Sequence, residues 1–497
     1  GDQIVFFDLA GKQTSMTGDR HAFLGAYGTS TAPAEVTSGA DLSGAFGAGL
    51  DPCAALQQVV TVSAATPVEV IVLIGATSSV ESARSLVQKY RGADVEALLR
   101  DVRAFWDDTL SAVQVETPDG AMNVMLNGWL MYQALACRML GRSGTYQASG
   151  AYGFRDQLQD SMAVCIARPD IARAHILRAG SRQFPEGDVQ HWWLPETGAG
   201  TRTRISDDAA WLTYCTMHYV SVTNDAAILD EALPFLEGRV LEPAEHDAYF
   251  PPHVSDRTAS LYDHCCIGLE HSLTRGPHGL PLIGGGDWND GLNRVGEKGR
   301  GESTWLAWFL IATLKTILPE SERRGDTARI TRWKDAIKSL TTAVEKHGWD
   351  GAWYRRGYFD DGTPLGSKDS SECRIDAIAQ SWSVLAGTAA PDRAASAMAE
   401  VRKQLIRPED GLALLFTPPF DSSQPDPGYI RAYPPGLREN GGQYSHGAIW
   451  SVFALMQLGQ VDEAVSLFNQ LNPVNHARTP EDAARYKVEP YVMVADI

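Results

Sequence analysis

Over residues 1–81 apolar positions alternate with polar ones or run in short β-branched stretches. "GDQIVFFDLA", "QQVVTVSAAT" and "PVEVIVLIG" follow this pattern and are separated by Gly- and Ala-rich loops. A period of two predicts strands, here of a β-sandwich edge, in a segment too short for a whole sandwich. From Ser82 the period changes. "SARSLVQKYRGADVEALLRDVRAFWDDTLSAV" carries its charge on one face and predicts a helical linker over 82–116. After "ETPDG", residues 117–497 repeat one theme, helical segments joined by long loops rich in Gly, Pro and Trp. Helices are expected at 122–140, 207–222, 303–318, 330–347, 377–386, 393–405, 447–458 and 461–471. Long loops in a compact domain are usually functional. Helix pairs with elaborate loops at one end suggest a closed α/α barrel, in which the loops build a pocket over the inner helices. A helical solenoid is the competing architecture, but no constant repeat period is present.

Composition narrows the partners. The 497 residues hold 61 acids against 43 bases, a net charge of -18, which opposes nucleic acid or anionic membrane and favours a neutral or locally guided substrate. The seven cysteines lack metal-ligand spacing and Cys265 adjoins Cys266, so neither a disulfide framework nor a metal site is expected. A reducing, cytoplasmic setting fits that usage. No apolar run approaches the roughly 20 residues of a membrane span. The opening "GDQIVFFDLAGKQ" has no signal-peptide layout and reads as if cut from a longer protein.

The loops carry the chemistry. "YQASGAYGFRDQLQD", "EGDVQHWWLPETGAGTRTRISDD", "GGGDWNDGLNRVGEKGRGES" and "YPPGLRENGGQYSHGAIW" each mix Trp or Tyr with Arg, Asp, Glu, Gln or His and end at a helix. One such loop is most simply an anchored turn, and the acids of "DWND" alone would pass for a helix cap. Four of a kind favour a carbohydrate pocket. Aromatic faces stack on sugar rings, while fixed carboxylates, amides and guanidinium groups bind the hydroxyls.

"GFRDQLQD", "GDVQHWW", "RTRISDD", "GDWNDG" and "RENGGQYSHGA" occur in the order found in glycoside hydrolase family 94, the inverting β-glucoside phosphorylases, which the whole chain resembles. "GDWNDGLNRVGEKGRGESTWL" and "NPVNHARTPEDAARYKVEPYV" are similar to the branch acting on β-1,2-glucans, which includes 1,2-β-oligoglucan phosphorylases and the C-terminal module of cyclic β-1,2-glucan synthases. The resemblance implies a mainly α fold: a β-sandwich, partial here, a helical linker and an (α/α)6 barrel, usually as a homodimer. It implies inversion at a β-linked gluco-oligosaccharide, with inorganic phosphate as co-substrate, release of α-glucose 1-phosphate, and no cofactor or metal. Asp290 matches the family's general acid, whose pKa a pocket beside Trp288 would raise, and Asp287 is expected to order the loop. Arg202 and Asp208 match positions holding the non-reducing-end glucose beside Trp288, and Arg155 and Asp156 are assigned to the same subsite. Gln190, His191 and Glu439 fit the leaving-sugar side. His446, as a protonated imidazole, fits phosphate, with Arg204 as a second phosphate or sugar contact or a loop tie.

The sequence departs from the family in two ways. Leu194 follows "HWW" where a histidine is expected, and the chain stops at "VEPYVMVADI", where related chains continue into a Thr- and Gly-rich segment that completes the phosphate pocket. The early sandwich strands are also missing, so a fragment or a divergent member is expected. Three readings follow: a β-1,2-glucan phosphorylase, an inverting hydrolase with Glu439 as general base, and a non-catalytic glucan-binding module of a larger synthase.

Overall fold

A computed structural model describes residues 3–142 and 149–496. The chain divides into two compact units, Gly1–Asp107 and Asp108–Ile497. In the first, β1 (Ile4–Asp8) and β2 (Ser15–Asp19) are paired antiparallel with β4 (Leu73–Thr77) and β3 (Pro52–Gln57), respectively. The expected strand in "QQVVTVSAAT" is absent beyond Gln57 apart from an isolated bridge between Ser63 and Thr66. Two helices follow, α1 (Val80–Arg91) and α2 (Val95–Leu110), the first capped by the Ser79 side chain. The break between them falls at Gly92, where the periodic pattern also slips.

The second unit is helical. Its inner helices are α3 (Phe154–Val164), α5 (Asp208–Thr223), α7 (Thr304–Arg324), α9 (Ala377–Leu385) and α11 (Ser445–Gln457), each packed on the next. Outer helices fill the intervals: α4 (Pro169–Gly180), α6 (Leu261–Ser272), α8 (Thr327–Ala343), α10 (Pro391–Gln404) and α12 (Val461–Leu471). The sequence separates the two sets. Every residue of α7 from Thr304 to Leu314 is buried, as suits "TWLAWFLIATL", a stretch apolar on all sides. In α8 only Trp333, Ala336, Leu340 and Ala343 are buried, one stripe at helical spacing.

Large rings fill the middle of this arc. Trp211 of α5, Trp305 and Phe309 of α7, Trp382 of α9 and Trp450 of α11 interlock, with Trp211–Phe309 at 4.3 Å and Trp382–Trp450 at 5.2 Å between centroids. Such pairs contribute about 0.5–1.5 kcal/mol each beyond their burial. Trp288 sits 5.4 Å from Trp450, so this aromatic plug is the floor on which the "GDWNDG" turn rests.

Several expected boundaries move for identifiable reasons. The helix expected at 122–140 is broken at Asn127 and Gly128, the latter at φ 142, and the Asn127 side chain accepts from Val115 N and donates to Val115 O. α7 runs through Pro319 to Arg324 before Gly325 ends it in the left-handed region. "GFRDQLQD" is not loop but α3, because Phe154, Leu158, Ser161 and Val164 form a buried stripe that its polar composition disguises. Tyr146 to Ala148, at the start of that loop, lie outside the described residues. "EGDVQHWWLPETGAGTRTRISDD" contains two strands, β6 (Gln190–Trp193) and β7 (Gly200–Thr203). They lie between β5 (Tyr152–Gly153) and β9 (Asp247–Phe250) in one four-stranded sheet, whose chain-order gap is filled by β8 (Ala232–Glu237) paired elsewhere with β10 (His253–Ser260). Among the described residues no helix is long and apolar enough to cross a membrane.

Candidate functional site

The inner helices bring their N-termini to one end. Arg155 and Asp156 lie in the first turn of α3, Asp208 opens α5 and His446 is the second residue of α11. The "GGGDWNDG" turn lies among them. Gly284 takes φ 60 and lies so close to Arg204 that a Cβ there would meet its carbonyl oxygen at 2.3 Å, which is why glycine stands there. Asp287 is fully buried and anchors the turn. Its carboxylate accepts from Arg356 at 2.6 and 2.5 Å, from Ser303 Oγ at 2.6 Å and from Asn289 N at 3.1 Å. It orders the loop, as expected of it, and the next residues are thereby presented to the cleft.

Asp290 keeps its side chain 35 % exposed. Arg155 Nη2 donates to its Oδ1 at 2.5 Å and to Trp288 O at 3.1 Å, while Nη1 donates to Asp207 Oδ1 at 2.7 Å and Asp287 O at 2.9 Å. The imidazole of His191 bridges two acids, with Nδ1 2.8 Å from Asp208 Oδ2 and Nε2 3.6 Å from Asp290 Oδ2. The expected rise in the Asp290 pKa is overturned here. Burial pushes the carboxyl up, but the Arg155 and His191 charges outweigh it and hold Asp290 well below the usual range. For His191, burial pulls down, yet Asp208 and Asp290 dominate and raise it well above the ordinary imidazole value. Asp207, which the sequence reading passed over, is buried without exposure and is pushed up to about 7 by burial. Asp207 also accepts from the Trp211 indole at 2.9 Å, tying the acid cluster to the aromatic floor.

His446 lies against Trp288, whose indole N–H donates to His446 Nδ1 at 3.2 Å. That bond places the imidazole proton on Nε2, and burial lowers the His446 pKa to about 4. The expected protonated imidazole is therefore corrected to a neutral ring with one N–H donor. Asp156, with its carboxylate 3.7 Å from Arg138 and largely exposed, faces the same side. Glu439 is pushed up by burial and feels the charge of Asp290, as do the phenols of Tyr429 and Tyr433. Tyr429 was missed in the sequence because "DPGYIRAY" reads as ordinary turn chemistry.

Three expected site residues are engaged elsewhere. Arg202 is buried, its Nε and Nη2 donating to Asp188 at 2.6 Å each and Nη2 and Nη1 to Glu186 and Arg239 O. Arg204 donates to the Glu245 and Glu242 carbonyls, both at 2.8 Å, the loop-tie alternative rather than a phosphate contact. Gln190 donates to Gly198 O within its own hairpin, while its Oε1 is buried without a hydrogen-bond partner and stays available to a ligand. In each case a neighbouring acid or carbonyl satisfies the donors that a ligand was expected to take. Arg202 and Arg204 line a cavity of about 480 Å³ together with His246 and Lys298, and none of Arg155, His191, Asp208 or Asp290 borders it.

What remains around Asp290 is short of donors. Asp208 Oδ1, Glu439 Oε2 and Ser445 Oγ are buried without a hydrogen-bond partner, although Arg155 Nη1 lies 3.9 Å from Asp208 and Arg438 Nε 3.4 Å from Glu439. Buried acceptors of this kind suit a ligand with many hydroxyl donors. A half-exposed carboxyl among them can exchange a proton with such a ligand.

Two family profiles cover most of the chain. Residues 1–93 match the profile of the glycosyl hydrolase 94 supersandwich domain, and residues 105–497 that of the glycosyl hydrolase 94 superfamily catalytic domain. The chain is 50% identical over 494 residues to the cyclic beta-(1,2)-glucan synthase NdvB of Rhizobium meliloti (strain 1021), covering 99% of this chain and 17% of that protein. It is 30% identical over 487 residues to solabiose phosphorylase (97% of this chain, 58% of that protein) and 28% identical over 465 residues to 3-O-beta-D-glucopyranosyl-beta-D-glucuronide phosphorylase (93% and 57%), both of Paenibacillus borealis. The chain thus spans between 17% and 58% of the length of these relatives. With a supersandwich segment followed by a helical catalytic segment that fills most of its length, this chain belongs to the glycosyl hydrolase 94 superfamily.

Proposed function

We propose that the chain carries out the inverting phosphorolysis of β-1,2-glucosidic bonds in oligoglucans, reversibly releasing α-glucose 1-phosphate, on an (α/α)6 barrel. The observation that carries the reading is that Asp290 and the donor-poor carboxylate of Asp208 share His191 and Arg155 as neighbours. Asp208 accepts sugar hydroxyls, Asp290 protonates the leaving oxygen, and phosphate attacks C1 from the opposite face. The converging N-termini of α3, α5 and α11 and the Nε2–H of His446 favour an anion there. The β-1,2 linkage is supported by the name of the synthase relative, and the phosphorolytic step by the two phosphorylases.

A second reading keeps the barrel and replaces phosphate with water. Glu439, raised in pKa by burial and with Oε2 lacking a hydrogen bond beside Arg438, suits a general base in an inverting hydrolase. The third, a glucan-binding module without turnover, follows from the small share of the synthase that this chain covers. One experiment separates them: incubation with sophorose-type oligosaccharides with and without phosphate. Glucose 1-phosphate formed only with phosphate supports the proposal. Free glucose formed equally in both arms supports the hydrolase, and binding without either product supports the module.

A further inference from the structure

We infer that His191 is the positioning residue that supplies the proton of Asp290, an inference that rests on Asp290 being the acid of the proposed reaction. The geometry has three parts. His191 is anchored, because Nδ1 lies 2.8 Å from Asp208 Oδ2 at the start of α5. Its other nitrogen points to the acid, with Nε2 3.6 Å from Asp290 Oδ2. Arg155 of α3 completes the surroundings, 2.5 Å from Asp290 and 3.9 Å from Asp208, while Glu439 and Tyr429 lie within electrostatic reach of Asp290.

An acid that is ionised at rest cannot donate, so the proton has to be stored next to it. An imidazolium between two carboxylates is such a store. In the step inferred, the His191 Nε2–H bond breaks and an Asp290 Oδ2–H bond forms, leaving both groups neutral. Asp290 passes that proton to the leaving sugar oxygen as the C1–O bond breaks, and an oxygen of hydrogen phosphate dianion bonds to C1. The sugar phosphate forms as a monoanion, and its remaining proton returns through solvent to His191. The cycle closes with no external acid consumed. Asp208 then has two tasks, accepting sugar hydroxyls through Oδ1 and holding the imidazole through Oδ2.

The test compares leaving groups in the full chain with phosphate present. His191→Asn keeps a side-chain donor for Asp208 and removes the titrating ring, and His191→Gln does the same with a longer reach. With folding verified by circular dichroism, kcat on a β-1,2-linked disaccharide is expected to fall about a hundredfold with KM changed less than about threefold. On a dinitrophenyl β-glucoside, whose leaving group needs no proton, the rate should stay within about threefold of wild type. The basic limb of the wild-type pH–rate profile should move in the variants, and imidazole in the buffer should restore turnover to His191→Gly. Equal losses on both substrates, or an unmoved pH profile, would overturn the role of His191. Asp290→Asn run in parallel separates the two ideas. If it retains full turnover of the disaccharide, the acid assignment itself fails. If it shows the leaving-group-dependent loss and the His191 variants do not, only the role of His191 fails.

Discussion

Asp287 and Asp290 flank one Trp–Asn pair and serve different ends because different partners reach them. Asp287 is sealed against Arg356, whereas Asp290 is left 35 % exposed beside Arg155 and His191. Removing one partner of a buried ion pair typically costs about 3–5 kcal/mol. Asp287→Ala should therefore lower unfolding stability by about that amount in urea titration. Asp290→Asn, which leaves Arg155 its bonds to Asp207 and two backbone carbonyls, should cost less stability than Asp287→Ala and reduce turnover by about 10²- to 10⁴-fold, with oligosaccharide binding by calorimetry changed only a few-fold. A swap of these two outcomes would reverse the assignment. His446 gives a pH prediction. Its folded pKa is near 4, below the roughly 6.5 of an unfolded chain. Its contribution is thus fully present above pH 6.5 and is lost as pH falls toward 4, up to about 3 kcal/mol in all. The stability difference between wild type and His446→Gln should shrink over that window in denaturant titrations at stepped pH. A difference independent of pH would mean that the ring is not held neutral.

At the scale of elements, the inner helices α7 and α9 were the most legible part of the sequence. "TWLAWFLIATL" is apolar on every side and "AIAQSWSVL" nearly so, and only a helix surrounded by others buries all of that surface. Asp290 was legible only through the match of "GDWNDG" to a family motif, since its acids alone read as a helix cap. Partners far apart in the chain were not. Arg356 lies 69 positions from Asp287, and nothing local marks either as the other's counter-ion. Arg202 shows the opposite failure: its motif was recognisable, but Asp188 and Glu186, close in the same loop, take up its donors. α3 was hidden because a single buried stripe suffices for a helix whose other face supplies Arg155 and Asp156. The break at Gly128 is an element-scale feature that can be tested alone. A Cβ there would meet only Leu110, at an ordinary 3.8 Å, so a substitution probes backbone conformation and not space. At φ 142, Gly128→Ala should cost about 1–3 kcal/mol in thermal or urea unfolding while leaving KM unchanged. A neutral result would mean that the helix simply straightens through 127–128.

For the molecule as a whole, charge sets a problem that the proposed reaction has to solve. The chain carries a net charge of -18, and the co-substrate proposed for it is an anion. The site does not supply a basic funnel. Arg155 is already shared among Asp207, Asp208 and Asp290, and Arg138 between Asp156 and Asp160. Among the described residues, the donors offered to phosphate are the helix N-termini and one neutral imidazole N–H, and these act over the last few ångströms. At longer range the acidic surface repels the dianion. Salt screens that repulsion, since the Debye length shortens from about 30 Å at 0.01 M to about 8 Å at 0.15 M, while short contacts are much less affected. Raising sodium chloride across that range should therefore lower the KM for phosphate, by about two- to fivefold, and leave the KM for a neutral oligosaccharide unchanged. Initial rates at fixed pH, with a chloride salt that does not compete for the phosphate position, would measure both constants. A KM for phosphate that rises with salt would show that a local basic field outweighs the net charge. Arg155 would then be the first residue to examine, as a group released from its carboxylates when sugar binds.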